Sequence, residues 1–442
     1  MPNMTYTSVL WTLLRFAHWF RIYHHLKWLQ RTQWKSPAEL RELQEKRLRA
    51  IIFHAYYNIP FYHKKFKDAG ITPNDIKTIE DLKKIPVTTK DEIKAHWREI
   101  INPKVDLNKA RIVPTSGSTG VPLKVVYDQK ADAFSRAVNL RSHIENGLRF
   151  YHKWVIIGDT RTAPPSTWFQ KLGIFRIYYI NLFDPVEAQI AALEQINPDI
   201  ITGYPSQLKL IARKMIELGA DLEPVTVFTT AEVLDDKTRK IIERGFNTDV
   251  VDLFGCIELN RTAWECKGHF GYHMDAEAVI FEFLDENGEE VSPGEEGEIY
   301  YTGLYNYAMP FIRYKVGDIG VPSDEKSPCG RGLPLMERVV GRKDDYIKLP
   351  DGTLISPIQF HLVVKHISGI WEAKIIQEKI DRIKVLLVPD TNFSDNTFRR
   401  LKQEIMKICK HQCEVEIKCV DSIPREKSGK IRMIESRITN EK

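Results

Sequence analysis

Residues 115–120 form a glycine-rich run of hydroxyl side chains. The run consists of Thr115, Ser116, Gly117, Ser118, Thr119 and Gly120, and Lys124 follows it. Such a flexible backbone, with its N–H groups and hydroxyls, can wrap a phosphate. Residues 112–114 and 124–127 are predicted strands on either side, whereas a Walker loop leads into a helix and ends in Gly-Lys-Ser or Gly-Lys-Thr. We therefore expect a phosphate-binding loop between two strands.

A second glycine turn lies near the C-terminus and presents a lysine. Residues 424–432 are Pro-Arg-Glu-Lys-Ser-Gly-Lys-Ile-Arg, with Lys430 directly after the glycine. A lysine carries a point charge on a flexible stem, which suits a group that must enter a site and leave it again. A phosphate loop together with a distant, mobile lysine favours the hypothesis of an enzyme that uses ATP to activate an acid.

Length and composition limit the class of protein. A chain of 442 residues, 43% hydrophobic and 28% charged, is too long for one simple core, so we expect two or three domains. A net charge of +5 is too balanced to indicate nucleic acid, and no zinc-finger spacing or aromatic RNA motif supports that partner. The six cysteines are spread along the chain and form no disulfide framework, so we expect a reducing, cytoplasmic location.

The N-terminal segment at residues 8–30 is rich in aromatic and apolar residues, interrupted by Arg15, Arg21 and Lys27. It has no run of 18 apolar residues and no cleavage site, so neither a spanning helix nor a signal peptide is expected. Two interpretations stay open. The segment is a helix packed on the body or on the second subunit of a homodimer, or it is a basic, aromatic helix lying on a membrane surface.

Strands and helices alternate between about residues 150 and 260. Strands are predicted at 154–158, 200–202, 225–228 and 250–254. One predicted helix begins at Pro185 and another runs from Pro205 to Gly219. This pattern predicts an α/β fold with parallel strands covered by helices, in which ligands bind at the carboxyl ends of strands.

The flanking segments have different patterns. Residues 36–70 are predicted to be helical, ending in an aromatic turn, and residues 278–304 are predicted to form a β subdomain with a hairpin turn. Beyond about residue 345, strands at 372–378 and 382–388, a helix at 396–411 and a last strand predict a small, mobile α+β lid.

Four further stretches carry candidate site residues. They are Asp252–Glu258, Pro310–Asp318, Gly341–Lys348 and Thr230–Glu232. Each is weak alone, but in this order, together with the two glycine turns, they resemble the adenylate-forming (acyl-CoA synthetase-like) superfamily. Within it the chain is most similar to the phenylacetate–CoA ligase branch, which includes relatives encoded in polysaccharide gene clusters.

The resemblance implies a reaction in two steps. A carboxylic acid attacks the α-phosphate of Mg-ATP to give an acyl-adenylate and pyrophosphate, and a thiol, usually that of CoA, then takes the acyl group. An alternative acceptor is a carrier protein or a sugar in polysaccharide biosynthesis. A third hypothesis, a nucleotide-binding protein without turnover, is disfavoured because Lys430, Glu258 and Asp318 are all present.

The resemblance also assigns roles to residues. Glu258 corresponds to the acidic residue near Mg²⁺, Asp318 to the ribose-binding aspartate, and Lys430 to the lysine that reaches the carboxylate and α-phosphate. Phe254 and Gly255 are expected beside the adenine, although the family usually has tyrosine at the Phe254 position.

Further nucleotide contacts are implied for the glycine-rich run, which holds the β- and γ-phosphates, and for Lys124, Ala231 and Glu232. Arg342 corresponds to the arginine at the domain junction and Asp344 to the hinge, and Lys348 is expected to contact phosphate or CoA. The expected domains are residues 1–341 with a helical extension at 1–70, a hinge at 342–345, and a lid at 346–442.

The cysteines and the acyl pocket leave alternatives open. Cys256, Cys266, His273 and Cys329 are candidate ligands of a structural zinc, or ordinary thiols and a histidine. Some relatives have another cysteine just before Cys329, where this chain has Ser327-Pro328. Cys409, Cys413 and Cys419 are expected in the core. The aromatic residues at 159–180 are expected either to line an acyl pocket or to form core.

Overall fold

The structure is a computed structural model that describes residues 6–115, 122–164, 166–426 and 429–438. The α-helices of these residues are α1 (Tyr6–Thr32), α2 (Pro37–Asn58), α3 (Pro60–Asp68), α4 (Lys90–Ala95), α5 (Gln129–Glu145), α6 (Trp168–Lys171), α7 (Val186–Ile196), α8 (Pro205–Leu218), α9 (Asp236–Phe246), α10 (Pro357–His366) and α11 (Asp395–Ile408).

The strands alternate with these helices in the middle of the chain and cluster on either side. They are β1 (Arg111–Pro114), β2 (Lys124–Tyr127), β3 (Lys153–Gly158), β4 (Arg176–Asn181), β5 (Ile200–Gly203), β6 (Thr226–Thr230), β7 (Val250–Cys256), β8 (Asn260–Glu265), β9 (Tyr272–Met274), β10 (Val279–Leu284), β11 (Gly297–Gly303), β12 (Tyr314–Ser323), β13 (Leu335–Arg342), β14 (Ile347–Lys348), β15 (Leu354–Ile355), β16 (Ile370–Lys379), β17 (Arg382–Pro389), β18 (Glu414–Cys419) and β19 (Ile434–Ser436).

The chain divides into two compact units. The first unit comprises Met1–Gly147, Leu253–Val316 and Val321–Arg338, and the second comprises Leu148–Asp252, Gly317–Gly320 and Val339–Lys442. The predicted mixed α/β class, with helix-flanked strands and an α+β C-terminal segment, is confirmed. The division by compactness does not test the predicted hinge at 342–345, which stays a prediction.

In the first unit, local signals set the start of α2. The Ser36 hydroxyl accepts a hydrogen bond from the Glu39 N–H at 3.3 Å, and Glu39 Oε2 accepts one from the Ser36 N–H at 3.0 Å. This reciprocal capping satisfies two backbone donors, and Pro37 is preorganised for the first turn. The predicted helix start is therefore confirmed, although a separate helix, α3, replaces the predicted aromatic turn.

The strands of the first unit are paired mostly antiparallel. β1 and β2 pair from Arg111–Tyr127 to Pro114–Lys124, so the strands predicted on either side of the glycine-rich run are confirmed. β10 and β11 form the predicted hairpin, and β7, β8 and β9 follow one another as an antiparallel meander.

A buried group of charges joins α1 and α5 of the first unit to the segment after β9. Arg141, Asp275 and Glu277 are all fully buried. Arg141 Nη1 donates to Glu277 Oε1 at 2.7 Å, Arg141 Nη2 donates to Asp275, and the Thr32 hydroxyl donates to Glu277 Oε1 at 2.6 Å. The Trp264 indole N–H on β8 donates to Asp275 Oδ1 at 3.0 Å, so the group also fixes this strand.

In the second unit, β6, β5, β3 and β4 lie side by side in that order, and each neighbouring pair is parallel. Val155, Ile201, Leu208 and Val227 contribute to a core between these strands and helices α7, α8 and α9. Helix α8 begins at Pro205 and ends at Leu218, and its C-cap is Gly219, whose φ of 66° suits a residue without a Cβ. The parallel strands predicted at 154–158, 200–202 and 225–228 are thus confirmed.

The C-terminal part of the second unit has its own sheet, with the strand order β18-β17-β16-β19. Buried residues between 347 and 434 form a core to which Leu401 and Ile405 of α11 and Ile375 and Val385 of the sheet contribute. Ser394 caps α11 by accepting a hydrogen bond from the Thr397 N–H at 3.3 Å. The sequence pattern did not predict α9, α10 or β19.

Two local predictions are wrong. Cys409 and Cys413 are buried, but Cys419 is exposed. Burial along its face of the edge strand β18 decreases from Val415 through Ile417 to Cys419, so alternation alone did not make Cys419 core. Pro185 is the cap of α7, not its first residue.

Candidate active site

The Lys430 loop, residues 426–431, belongs to the second unit, and its residues 427 and 428 lie outside the described residues. Its ends are joined by hydrogen bonds from the Glu426 N–H to the Lys430 carbonyl at 2.9 Å and from the Gly429 N–H to the Glu426 carbonyl at 2.8 Å. Gly429 has a φ of 84°, and an added Cβ would lie 2.5 Å from Leu182 Cδ1. The glycine is therefore required on two counts, and it directs the chain so that Lys430 follows at a fixed place.

Charged groups of the second unit surround Lys430. Burial lowers the pKa of its ammonium group, while the carboxylates of Glu232, Glu426 and Asp318 act to raise it and Arg342 acts to lower it. Lys430 Nζ also lies 5.8 Å from the centroid of the Tyr204 ring. A partly desolvated ammonium interacts strongly with an anion placed beside it.

The structure places two predicted residues, Asp318 and Arg342, side by side. Asp318 lies on β12 and Arg342 at the end of β13, and Arg342 Nε is 3.4 Å from Asp318 Oδ1. Both contribute to the electrostatic surroundings of Lys430. Three residues distant in sequence, Lys430, Asp318 and Arg342, therefore belong to one charged group.

Glu232 has a defined set of partners. Its Oε2 accepts from the Ser206 N–H at 3.0 Å, and its Oε1 accepts from the Ser206 hydroxyl at 3.0 Å and from the Ile431 N–H at 2.7 Å. The preceding Ala231 has a φ of 70°, an unusual conformation for a residue with a Cβ. The observed contacts of Glu232 are thus with the protein.

Glu258 lies in the first unit, directly after β7, and is almost fully buried. Its Oε1 accepts a hydrogen bond from the Tyr314 hydroxyl at 2.9 Å and lies 3.3 Å from Lys90 Nζ. The Tyr127 hydroxyl donates to the Glu258 carbonyl at 3.1 Å. Both of these side-chain contacts are made by Oε1.

Phe254 and Gly255 end the same strand. The Phe254 ring is half-buried and its centroid is 6.4 Å from that of Tyr272. A Cβ on Gly255 would lie 2.1 Å from the Asn260 carbonyl oxygen, so only glycine lets these two strands approach as they do.

The glycine-rich run falls mainly outside the described residues, because Ser116, Gly117, Ser118, Thr119 and Gly120 are not described. Its base is described: the Thr115 N–H donates to the Leu123 carbonyl at 2.8 Å, and the Thr115 hydroxyl accepts from the Leu123 N–H at 3.0 Å. Lys124 begins β2 with an exposed side chain.

The predicted hinge and lid residues lie in the second unit. The Asp344 carbonyl accepts a hydrogen bond from Arg432 Nη2 at 3.1 Å. Lys348 is exposed on the short strand β14, where its carbonyl accepts from Gln377 Nε2 at 2.6 Å. Neither a hinge role for Asp344 nor a ligand role for Lys348 is tested by these contacts.

Three of the four predicted zinc ligands come together in the first unit. Ligand atoms of Cys266, His273 and Cys329 lie within 4.8 Å of one another. Cys256 does not join them, because it pairs with Asn260 at the start of β8 whereas Cys266 follows its end. Six strand residues separate these ends by about 20 Å.

The surroundings of this cluster are polar. Ser327 Oγ and Arg331 Nη1 lie 3.0 and 3.3 Å from Cys329 Sγ. Burial acts to raise the pKa of Cys329, but contacts with Ser327 and Arg331 lower it overall. Burial lowers the pKa of His273 to about 3, so the imidazole is neutral, as metal binding requires.

The aromatic segment at 159–180 does not form one class of environment. Phe169 is buried, whereas Tyr178 is 37% exposed. Asp159 and Arg161 contact each other through a pair of hydrogen bonds of 2.8 and 2.9 Å. The aromatic residues of this segment are therefore not all in the core, and the contacts described here do not show that they line a pocket.

Several contributing residues were not selected from the sequence. Ser206 and Tyr204 flank Pro205, which begins α8. The predicted helix start could have indicated a carboxylate-binding position there, because helix N-termini bind carboxylates. Arg425 lies in the quoted C-terminal stretch. Lys90 and Tyr314 gave no local signal, since only the fold brings them to Glu258.

Comparison with known proteins finds similar sequences. Residues 347–437 match the family described as CapK C-terminal domain. The chain is 24% identical over 436 residues to a phenylacetate–coenzyme A ligase of Thermus thermophilus, covering 90% of this chain and 97% of the relative. It is 24% identical to the protein CapK of Staphylococcus aureus, covering 89% and 88%.

A solved structure supports the same relationship at the level of fold. A 2-hydroxyisobutyryl-CoA ligase in the postadenylation state superposes with a TM-score of 0.75 at 20% identity, covering 91% of both chains. These matches show that the chain is similar over about nine tenths of its length to a phenylacetate–coenzyme A ligase and to CapK, and that it shares the fold of a CoA ligase.

Proposed function

We propose that the protein is an AMP-forming acid–CoA ligase. The observation that carries the proposal is the charged group around Lys430, in which Asp318, Arg342 and Glu232 surround a partly desolvated ammonium. Such a group suits chemistry on anions. The phenylacetate–coenzyme A ligases among the relatives supply the reaction class.

In the proposed first step, a carboxylate oxygen of the acid forms a bond to the α-phosphorus of ATP. The bond from that phosphorus to the bridging oxygen breaks, and pyrophosphate leaves with Mg²⁺. We propose that Glu258 holds the cation and that Lys430 stabilises negative charge on the reacting carboxylate and α-phosphate. Positioning and charge neutralisation are the main requirements of such a transfer.

The remaining nucleotide roles are proposed from the family. Asp318 is suited to accept hydrogen bonds from the ribose hydroxyls, and Phe254 to stack beside the adenine. The glycine-rich run is proposed to hold the β- and γ-phosphates through its N–H groups and hydroxyls.

In the second step, the thiol of CoA attacks the acyl carbon, and AMP leaves as its bond to that carbon breaks. The thiol proton passes to solvent or to the departing phosphate. We propose that Asp344 is the hinge between the two steps and that Lys348 contacts CoA.

The test is pyrophosphate release with ATP and a panel of aryl, aliphatic and hydroxy acids, with and without CoA. We expect acid-dependent pyrophosphate release and a CoA thioester as product. No release with any acid would contradict acid activation. Release followed by acylation of a carrier protein or sugar, with CoA inert, would replace the proposed acceptor.

We also propose a structural zinc held by Cys266, His273 and Cys329. The neutral histidine and the clustered thiols fit three positions of a zinc site. Protein purified without chelator should contain about one zinc per chain, and Cys329→Ser should lose it. Cys419→Ser, which changes an exposed cysteine outside the cluster, is the control. A metal-free native protein of unchanged thermal stability would contradict the proposal.

For helix α1 we propose contact with an anionic membrane surface. The helix has Arg and Lys at positions 15, 21, 27 and 31 and no acidic residue. Ile22, Leu26 and Leu29 are buried, whereas Phe20 and Tyr23 are 71% and 56% exposed. Exposed aromatic and basic side chains on one helix favour a lipid interface.

Co-sedimentation with phosphatidylglycerol vesicles tests this contact. Lys27→Glu/Arg31→Glu should reduce binding at low salt, whereas the control Lys240→Glu/Arg244→Glu on α9 should not. Equal binding by both variants would contradict it, and a dimer in solution would favour the partner-subunit interpretation. No helix within the described ranges is long and apolar enough to span a membrane. We propose the cytoplasm as the location, because the six cysteines, all described, are thiols.

A further inference from the structure

We propose that Glu232 is the positioning residue that holds the Lys430 loop in place for adenylation. The inference rests on the proposed function and assigns Glu232 a role toward the protein where the family resemblance implied a nucleotide contact. The Glu232 carboxylate accepts from Ile431, the residue after Lys430, at 2.7 Å. It also accepts from both donors of Ser206 at 3.0 Å.

The Ser206 side of this arrangement explains why a carboxylate is needed. Helix α8 begins at Pro205, which has no N–H, and its cap residue Tyr204 makes no side-chain capping bond. The Ser206 N–H is therefore one of the donors that a helix start leaves without a partner in the helix. Glu232, from the turn after β6, supplies the acceptor, and its charge suits the positive end of the helix dipole.

The hydrogen bond from the Ile431 N–H joins the Lys430 loop to Glu232, which also accepts from the first turn of α8. This bond from the backbone N–H of Ile431 fixes the main chain beside Lys430. A second link comes from Arg425, whose Nη1 donates to the Gly429 carbonyl at 2.8 Å and lies 3.2 Å from Ser206 Oγ. Arg425 thereby ties the turn that presents Lys430 to the same serine.

The position of Glu232 is itself constrained. Ala231 has a φ of 70°, which a residue with a Cβ adopts only when its surroundings require it. Burial raises the pKa of Glu232, while its donors and Arg425 favour the ionised form. The backbone conformation of Ala231 and the burial of the Glu232 carboxylate are both energetically unfavourable. This conformation places the carboxylate where it accepts hydrogen bonds from Ser206 and Ile431.

The test compares Glu232→Gln with wild type in each half-reaction separately. A glutamine has one oxygen, so either Ser206 or Ile431 must face an NH₂ donor. Because a hydrogen bond to a charged group is lost, acid-dependent ATP–pyrophosphate exchange should fall about 10- to 100-fold. Thioester formation from supplied acyl-adenylate should be unchanged, and hydrogen exchange of a peptide covering the Lys430 loop should become faster.

The control is Glu217→Gln, the same substitution at the other, exposed end of α8, where Glu217 pairs with Arg213. It should change neither readout. Two results for Glu232→Gln would overturn the positioning role. One is an equal loss of rate in both half-reactions. The other is unchanged ATP–pyrophosphate exchange together with unchanged hydrogen-exchange protection of the loop. If wild type exchanges no pyrophosphate with any acid, the proposed function fails, and loop protection in the variant still decides whether Glu232 holds the loop.

Discussion

Replacing Asp275 by asparagine should change the pH dependence of stability in a defined direction. Asp275 is fully buried beside Arg141 and Glu277. Burial is the largest influence and raises its pKa, Arg141 opposes the rise, and Glu277 adds to it, giving about 6 instead of 3.8. An asparagine oxygen can keep the bonds from Arg141 and Trp264 without the titration.

The sign follows from proton binding. Between pH 3.8 and about 6 the folded state holds the Asp275 proton more tightly than the unfolded state, so this group's contribution to stability falls as the pH rises. The difference in pKa corresponds to about 3 kcal/mol in the free energy of unfolding. Relative to wild type, Asp275→Asn should therefore gain about 2 kcal/mol between pH 4 and pH 7, because part of the change lies below pH 4.

Urea denaturation of both proteins at half-unit steps from pH 4 to pH 7 measures this difference. Asp106→Asn is the control, because the Asn108 N–H lowers the pKa of that exposed turn carboxylate, so its removal should not reproduce the gain. Parallel stability curves for wild type and Asp275→Asn would refute the reasoning, since Asp275 would then titrate alike in the folded and unfolded states.

Three further predictions concern the end of β7. Gly255→Ala should lower the free energy of unfolding by about 1 to 3 kcal/mol in urea denaturation, because its Cβ meets the Asn260 carbonyl, and Gly158→Ala, with its nearest neighbour at 4.0 Å, should be tolerated. Glu258→Gln should reduce turnover about 100-fold at limiting Mg²⁺, and turnover that is unchanged across a Mg²⁺ titration would contradict its role. Phe254→Tyr should lower the KM for ATP about 2- to 10-fold by adding a hydroxyl contact, and an unchanged or higher KM would argue against an adenine-side position.

Local sequence signals predicted much of the fold. Ser36 with Glu39, and Pro205 with Gly219, fixed helix ends because capping depends on residues within a few positions. The hairpin of β10 and β11 followed from alternation and a glycine turn. Cys419 shows the limit of this reasoning. Alternation of apolar and polar residues predicts which face of a strand a side chain lies on, but not whether other residues cover that face.

Contacts between distant segments were not predictable in this way. The ionic group of Arg141, Asp275 and Glu277 joins residues more than 130 positions apart, and the Ile431–Glu232 bond joins residues 199 apart. Each residue alone is an ordinary charged or apolar side chain. Only the topology that brings their elements together makes them a network, so the motifs indicated Lys430 without indicating the bond between Ile431 and Glu232 beside it.

The central claim is that Lys430 acts in acid activation, and one comparison tests it most directly. Wild type and Lys430→Ala are assayed for acid-dependent ATP–pyrophosphate exchange, and for CoA thioester formation from the acyl-adenylate of the same acid. Exchange should fall about 100- to 1,000-fold while thioester formation persists. Equal exchange in both proteins, or equal loss in both half-reactions, would contradict the assignment.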